Sequence, residues 1–298
     1  MQGLYTAAVQ ASVPLLVPTN KLVPANAIEN MVFSFANIIA PIVGGIIFNE
    51  LGLLPILIIA FIIYILAIAV DSVLKVPSTY QKFKGSISAL IVSDLTKCFR
   101  FIRKKRPEIL RSGILIFLFS IPSVGMLFVA LPVLIVQHLG LGNNLYGLTQ
   151  GVMMGGGLFG GILAGVFEKK ISIQKAHITL LVASISIIIL GIVFIINIPE
   201  TFAYVIITIS AAVIMLTVQL VIIQILAYEQ LVAPKELVGK ITSIVMALTF
   251  AAYPIGQFVF GALFEEIPND PQYVLLIAAG ISLVIVFMSR KNFTNIGI

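Results

Sequence analysis

The sequence predicts an all-α fold, a polytopic bundle of membrane-crossing helices, and three observations predict it. The 298 residues are 60% hydrophobic and only 10% charged, where a soluble domain carries about 25% charged residues. Mean hydropathy is +1.14, so lipid must be the solvent for much of the surface. The apolar residues gather into runs long enough to cross a bilayer, and every Lys and Arg falls on alternate connections between those runs.

A membrane helix needs about 20 mostly apolar residues. Eight stretches meet this, at roughly 28–48, 52–74, 112–137, 147–167, 176–196, 202–227, 241–264 and 272–289. Residues 4–17 read as the end of another span, too short to cross alone. Pro18, Asn20 and Pro24 make a turn before the first full span, and Asn26 is a candidate cap with Glu29 in the first turn after it. Asn49 to Gly52 joins the first two spans, Gly140 to Asn144 follows the third, Asn197 to Glu200 separates the fifth and sixth, and Pro268 to Pro271 precedes the last. Gly, Pro and Asn break periodic structure for backbone reasons, which places these boundaries.

The basic residues give the topology. Lys21 precedes the first full span; Lys75 to Arg111 follow the second; Lys169, Lys170 and Lys175 follow the fourth; Lys235 and Lys240 the sixth; Arg290 and Lys291 the eighth. The other connections carry none. Basic loops stay in the cytoplasm, so these connections and the C-terminus are expected there, in a multi-pass protein of the plasma membrane. Residues 76–111 form the one long connection. Within it Leu90, Ile91, Leu95, Phe99, Phe101 and Ile102 recur at roughly helical spacing among charges, which predicts an amphipathic helix on the inner membrane surface. The formal net charge of +6 suits anionic lipid headgroups better than nucleic acid, because it lies between apolar spans.

The composition excludes several functions. Cys98 is the single cysteine, so neither an internal disulfide nor a cysteine metal cluster can form. His138 and His177 lie far apart near span ends, and no metal site is expected. There is no P-loop, and no nucleophile and base or paired carboxylates can be placed in one pocket, so neither enzymatic activity nor a cofactor is expected. The first ten residues lack a basic stretch and read poorly as a signal peptide.

A faint internal repeat is present. A shift of 215 residues lays Met31 on Met246, Ala36 on Ala251 and Glu50 on Glu265. Parallel six-span repeats are one way in which transporters are built.

Four pieces carry a family resemblance. Residues 16–53 and 231–267 resemble the fifth- and eleventh-helix regions of major facilitator superfamily exporters, particularly the macrolide-efflux and siderophore-export type. Residues 94–110 resemble that family's inter-domain linker. Ala40-Pro41-Ile42-Val43-Gly44-Gly45 resembles the antiporter motif Gly-Pro-x-x-Gly-Gly, with Ala40 in place of the first glycine. Proline bends the helix and glycines admit a neighbouring backbone; the resemblance implies that this shapes the helix so that the outward gate seals, and a packing kink without such a role is the alternative. In residues 155–175, Gly161, Gly165, Lys169 and Lys170 resemble the degenerate second copy of the superfamily's cytoplasmic loop motif, its aspartate missing and Glu168 nearby. Gly157, Gly161 and Gly165, four apart, predict a close-packing stripe.

The resemblance implies a partial major facilitator fold. Residues 1–75 would be the remnant of an N-terminal bundle (the end of helix four, then helices five and six). Residues 76–111 would be the linker, and 112–298 a complete six-helix C-terminal bundle; three to four N-terminal helices are expected to be absent. It also implies ion-gradient-driven efflux, by proton antiport, of a hydrophobic or amphipathic small molecule such as a drug or macrolide. A non-transporting membrane protein or assembly partner, and an importer, are the alternatives. Small-molecule substrate and membrane lipid are the expected partners, nucleic acid is not, and oligomeric state is left open. Asn37, Gln150, Gln219 and Gln224 are polar residues within or near spans, candidates for lining a cavity or for bonding between helices. Asp71 is a candidate coupling acid, or an interfacial carboxylate at its span's end.

Overall fold

The computed structural model describes residues 22–73, 96, 98, 101–103, 106–166, 173–196, 198–234 and 237–294. Within them eight helices are long and apolar enough to cross a membrane, one for each apolar stretch in the sequence. They are α1 (Leu22–Leu51), α2 (Leu53–Val73), α3 (Pro107–His138), α4 (Asn143–Val166), α5 (Ala176–Ile195), α6 (Glu200–Val232), α7 (Val238–Glu266) and α8 (Pro271–Thr294). Several run beyond the apolar stretch. A hydrocarbon core of ~30 Å is spanned by ~20 residues, so the 33 residues of α6 continue into the headgroup region.

The start of α1 departs from the sequence reading. The helix begins at Leu22, so Pro24 lies in its first turn and Asn26 is inside it rather than capping it. Proline is tolerated there because the first turn's N–H groups have no intrahelical partner. Gly52 alone separates α1 from α2. Its φ of 78° is a conformation that a β-carbon disfavours, and its N–H closes the preceding turn onto Phe48 O at 3.0 Å.

Helix α3 is interrupted twice by π-helical turns, Ile121–Gly125 and Val133–His138, with Pro122 in the first and Pro132 immediately before the second. Proline offers no N–H to the i−4 carbonyl, and the ladder widens around it. These turns reshape α3 where α7 crosses it. There Gly125 and Gly256 meet backbone to backbone: a β-carbon on Gly125 would lie 2.8 Å from Gly256 Cα, and one on Gly256 2.5 Å from Ile121 O.

The principal contacts pair α4 with α6, α5 with α8, α5 with α6, and α3 with α7. Helices α3 to α8 share one apolar core, with Phe119, Leu127, Leu131, Leu180 and Phe260 among its buried side chains. Several buried hydroxyls are bonded inside their own helices, as from Ser123 to Phe119 O, Thr249 to Val245 O and Ser282 to Ala279 O, because the apolar interior offers them no water. Helix α1 packs on α4 and α2 packs mainly on α1, and no described residue of α2 is buried. From the long connection, Cys98 and Ile102 are buried in the core, so this part is seated on the bundle. Leu90, Ile91, Leu95 and Phe99 lie outside the described residues.

Candidate functional site

Helix α1 meets α4 through their glycines, and the site grows from that crossing. A β-carbon on Gly45 would lie 2.6 Å from Asn143 O and 2.9 Å from Gly147 Cα. A β-carbon on Gly147 would run into Pro41 O, and one on Gly151 would come within 2.6 Å of Ile42 side-chain carbons and 2.9 Å of Ile38 O. The two backbones are therefore in contact over two turns, antiparallel, and only glycine permits it. Pro41 cannot donate to the carbonyl one turn before it. One residue of that turn, Asn37, instead donates its side-chain amide to Phe33 O at 2.7 Å.

Beside this crossing lies a cavity of about 390 Å³ lined by Pro41, Gly44 and Gly45 of α1, Ile56 of α2, and Tyr146 and Gln150 of α4. Asn143 also lines it, and Gln150 Nε2 donates to the Tyr146 hydroxyl at 2.6 Å. Helix α4 is held from its other side by α6. Tyr204 donates to Leu145 O at 3.1 Å, the Thr149 and Thr208 hydroxyls are 2.9 Å apart, and Gly156 and Gly160 lie against the backbone of Ala212 and Leu216. Gly147 and Gly151 on one face and Gly156 and Gly160 on another make α4 the helix to which both α1 and α6 are fitted.

A second hollow, apolar and about 790 Å³, runs between α1 and α2. Ile28, Met31, Phe35, Ile39, Ala40 and Ile63 are among its walls. On the other side of the molecule, where α3 crosses α7, Phe128 and Tyr253 rings are 6.2 Å apart and Phe250 stacks edge-on against Tyr253 at 5.8 Å.

The structure thus brings Pro41, Gly44 and Gly45 together with Gln150 in one cavity, while Ala40 faces the apolar hollow. Asn37 is engaged with its own helix, and Gln219 and Gln224 are half-buried in α6 away from this cavity. The Gly157, Gly161 and Gly165 stripe needs correction. Gly157 meets only the Met215 side chain, Gly161 only Ile223 at 3.4 Å, and Gly165 faces open space; Gly156 and Gly160 are the close-packed pair. Lys169 and Lys170 lie outside the described residues, as does the side chain of Asp71, whose backbone is in the last turn of α2. Sequence reasoning missed Tyr146 and Gly147, although the spacing of Gly147 and Gly151 was there to be read.

Two solved structures share the fold. One is described as a bacterial homologue of the iron transporter ferroportin in an inward-facing state: TM-score 0.66 at 15% identity, covering 95% of this chain and 66% of that one. The other is described as a bacterial metal transporter, with TM-score 0.64, 15% identity and coverage of 93% and 67%. Such identities show a common fold, and the chain spans about two thirds of the length of each. No curated protein matches in sequence. The family model described as Major Facilitator Superfamily matches residues 1–257. With that match over most of its length, the chain belongs to the major facilitator superfamily.

Proposed function

We propose that this chain serves a membrane transporter which moves a hydrophobic or amphipathic small molecule out of the cell in exchange for protons. The observation that carries the reading is the crossing of α1 and α4, where Pro41 and Gly45 lie backbone to backbone against Gly147. Alternating access needs a seam between two helix bundles that closes and parts as rigid bodies move. A glycine-lined crossing beside a small cavity suits such a seam, and it holds the residues that resemble the antiporter motif. On this reading residues 1–75 belong to the first bundle, 76–111 link the two, and 112–298 form the second. The basic connections and the C-terminus face the cytoplasm of a plasma-membrane protein.

The aromatic rings of Phe128, Phe250 and Tyr253 support an organic cargo. Aromatic faces bind apolar surface and organic cations, whereas a transition metal needs oxygen, nitrogen or sulfur ligands. The two structural neighbours are described as metal transporters, so iron and other divalent ions are the competing cargo to measure alongside.

The test is transport by the purified chain in proteoliposomes with an imposed proton gradient. Movement of a fluorescent hydrophobic dye, lost on adding a protonophore, is the expected result. Uptake of divalent metal without dye transport would replace the cargo. Failure to move any of these, with transport restored by a co-expressed helical partner, would make the chain a subunit rather than a transporter alone.

A further inference from the structure

The last turn of α6 holds a carboxylic acid in an unusual place. Glu229 is 0% exposed, and both side-chain oxygens are buried without a hydrogen-bond partner among the described residues. Its neighbour Tyr228, also buried, has a hydroxyl close to the Arg106 guanidinium just before α3 and within electrostatic reach of Glu108 on α3. One oxygen of Glu108 and the Thr242 hydroxyl at the start of α7 are likewise buried and unbonded. The basic end of the C-terminal bundle therefore closes over polar atoms, those of Glu229 above all, that have given up water without a hydrogen-bond partner among the described residues, a rare arrangement.

An ionised carboxylate would be doubly penalised at position 229. It would lose hydration without a compensating donor. It would also lie beside the carbonyl oxygens that end α6, the negative pole of the helix. Among the described residues, the remaining titratable and charged groups at this end, on the elements packed against α6, do not relieve it. Arg106 just before α3, Arg111 of α3, Lys175 before α5 and Lys240 of α7 are all exposed, and His177 of α5 is bonded to Gln174 O. A neutral acid escapes the second penalty and the larger part of the first.

We propose that Glu229 is a proton-binding site: with its proton in place the basic end of the bundle stays closed over it, and loss of the proton to water opens that end. The proton is the ligand, water from the cytoplasmic side is its acceptor, and nothing else is consumed. The idea rests on the two-state reading of the fold but not on any cargo or direction of transport, so it can fail while the transport proposal stands, and the reverse.

The chain carries its own reporter. Cys98 is the sole cysteine and is 0% exposed, in the apolar cluster that includes Tyr228 and Ile225. Its rate of alkylation by a maleimide, divided by the rate in denatured protein at the same pH, measures opening free of the thiol's own ionisation. For a single proton the opening equilibrium changes at most about tenfold per pH unit. The wild-type ratio should rise several-fold between about pH 6 and about pH 9, and E229Q, which copies the neutral acid, should stay low and flat. A wild-type ratio independent of pH, or an E229Q ratio that rises as wild type does, overturns the proposal. So does an E229Q protein that is open throughout, or that fails to fold while E229D folds, since either would show that the charged form is what the structure holds.

Discussion

A methyl group on residue 160 would run into the carbonyl oxygen of Leu216, whereas one on residue 165 would meet nothing within 4 Å. Both residues are glycines of one helix, and each costs that helix some intrinsic propensity. The difference between them is entirely what lies opposite. Gly160→Ala should push α4 and α6 apart and cost about 1–3 kcal/mol, the usual penalty of overpacking. Gly165→Ala should be neutral or slightly stabilising. Thermal unfolding of the purified protein in detergent decides between this and the alternative stripe, for which Gly165→Ala would be the damaging change. The same reasoning explains why glycines were hard to sort by sequence. Spacing of four residues identifies a face of a helix but not which face has a neighbour. In α4, Gly147, Gly151, Gly156, Gly157, Gly160, Gly161 and Gly165 all satisfy the spacing, and only those aimed at α1 (Gly147 and Gly151) or at α6 (Gly156 and Gly160) are pressed against backbone. Gln150 shows the complementary case. A polar side chain in an apolar span signals a protein or water neighbour; Gln150 lies beside a cavity, and its partner Tyr146 follows only from the three-dimensional arrangement.

At the scale of elements, α1 and α4 form the contact on which the functional proposal depends. Leucine in place of Gly147 would direct its side chain at Pro41 and Gly45 and force the helices off their present crossing. Gly147→Leu is expected to abolish gradient-driven transport while α3 to α8 remain folded, because their shared core lies on the other sides of α4. Gly44→Ala, with no atom within 4 Å of the added carbon, should leave thermal stability unchanged. Transport measured with thermal unfolding separates the two effects, and a fully active Gly147→Leu would remove the seam from the mechanism. The helices themselves were legible in advance because some 20 apolar residues admit only a helix in lipid. Their ends were less so, since hydropathy reports where lipid stops rather than where the helix stops. The π turns of α3 were not legible, although Pro122 and Pro132 mark them, because a proline is equally compatible with a kink, a widened turn or a helix end.

For the molecule as a whole the sharpest expectation concerns which end faces which side. Successive helices joined by short turns reverse direction, and the antiparallel crossing of α1 and α4 brings Asn49 next to Gly142, fixing the two helices joined through the long connection to the same frame. One end then carries Arg106, Arg111, Lys175, Lys240 and Arg290. The other carries Glu50, Glu200, Glu265, Glu266 and Asp270 and, among the described residues, no Lys or Arg. Arg and Lys near span ends orient a chain during insertion, while acidic residues contribute little. The basic end is therefore expected in the cytoplasm, which would place the Glu229 acid there and the turn at Gly142 outside. A reporter active only in the cytoplasm, fused after Lys170, should be active, and the same reporter after Gly142 silent; a reporter active only outside should give the reverse. The opposite pattern would invert the molecule. The seam of α1 and α4 would then close the inner rather than the outer side, and Glu229 would exchange its proton with the external medium, so this one measurement fixes the direction in which both proposals are to be read.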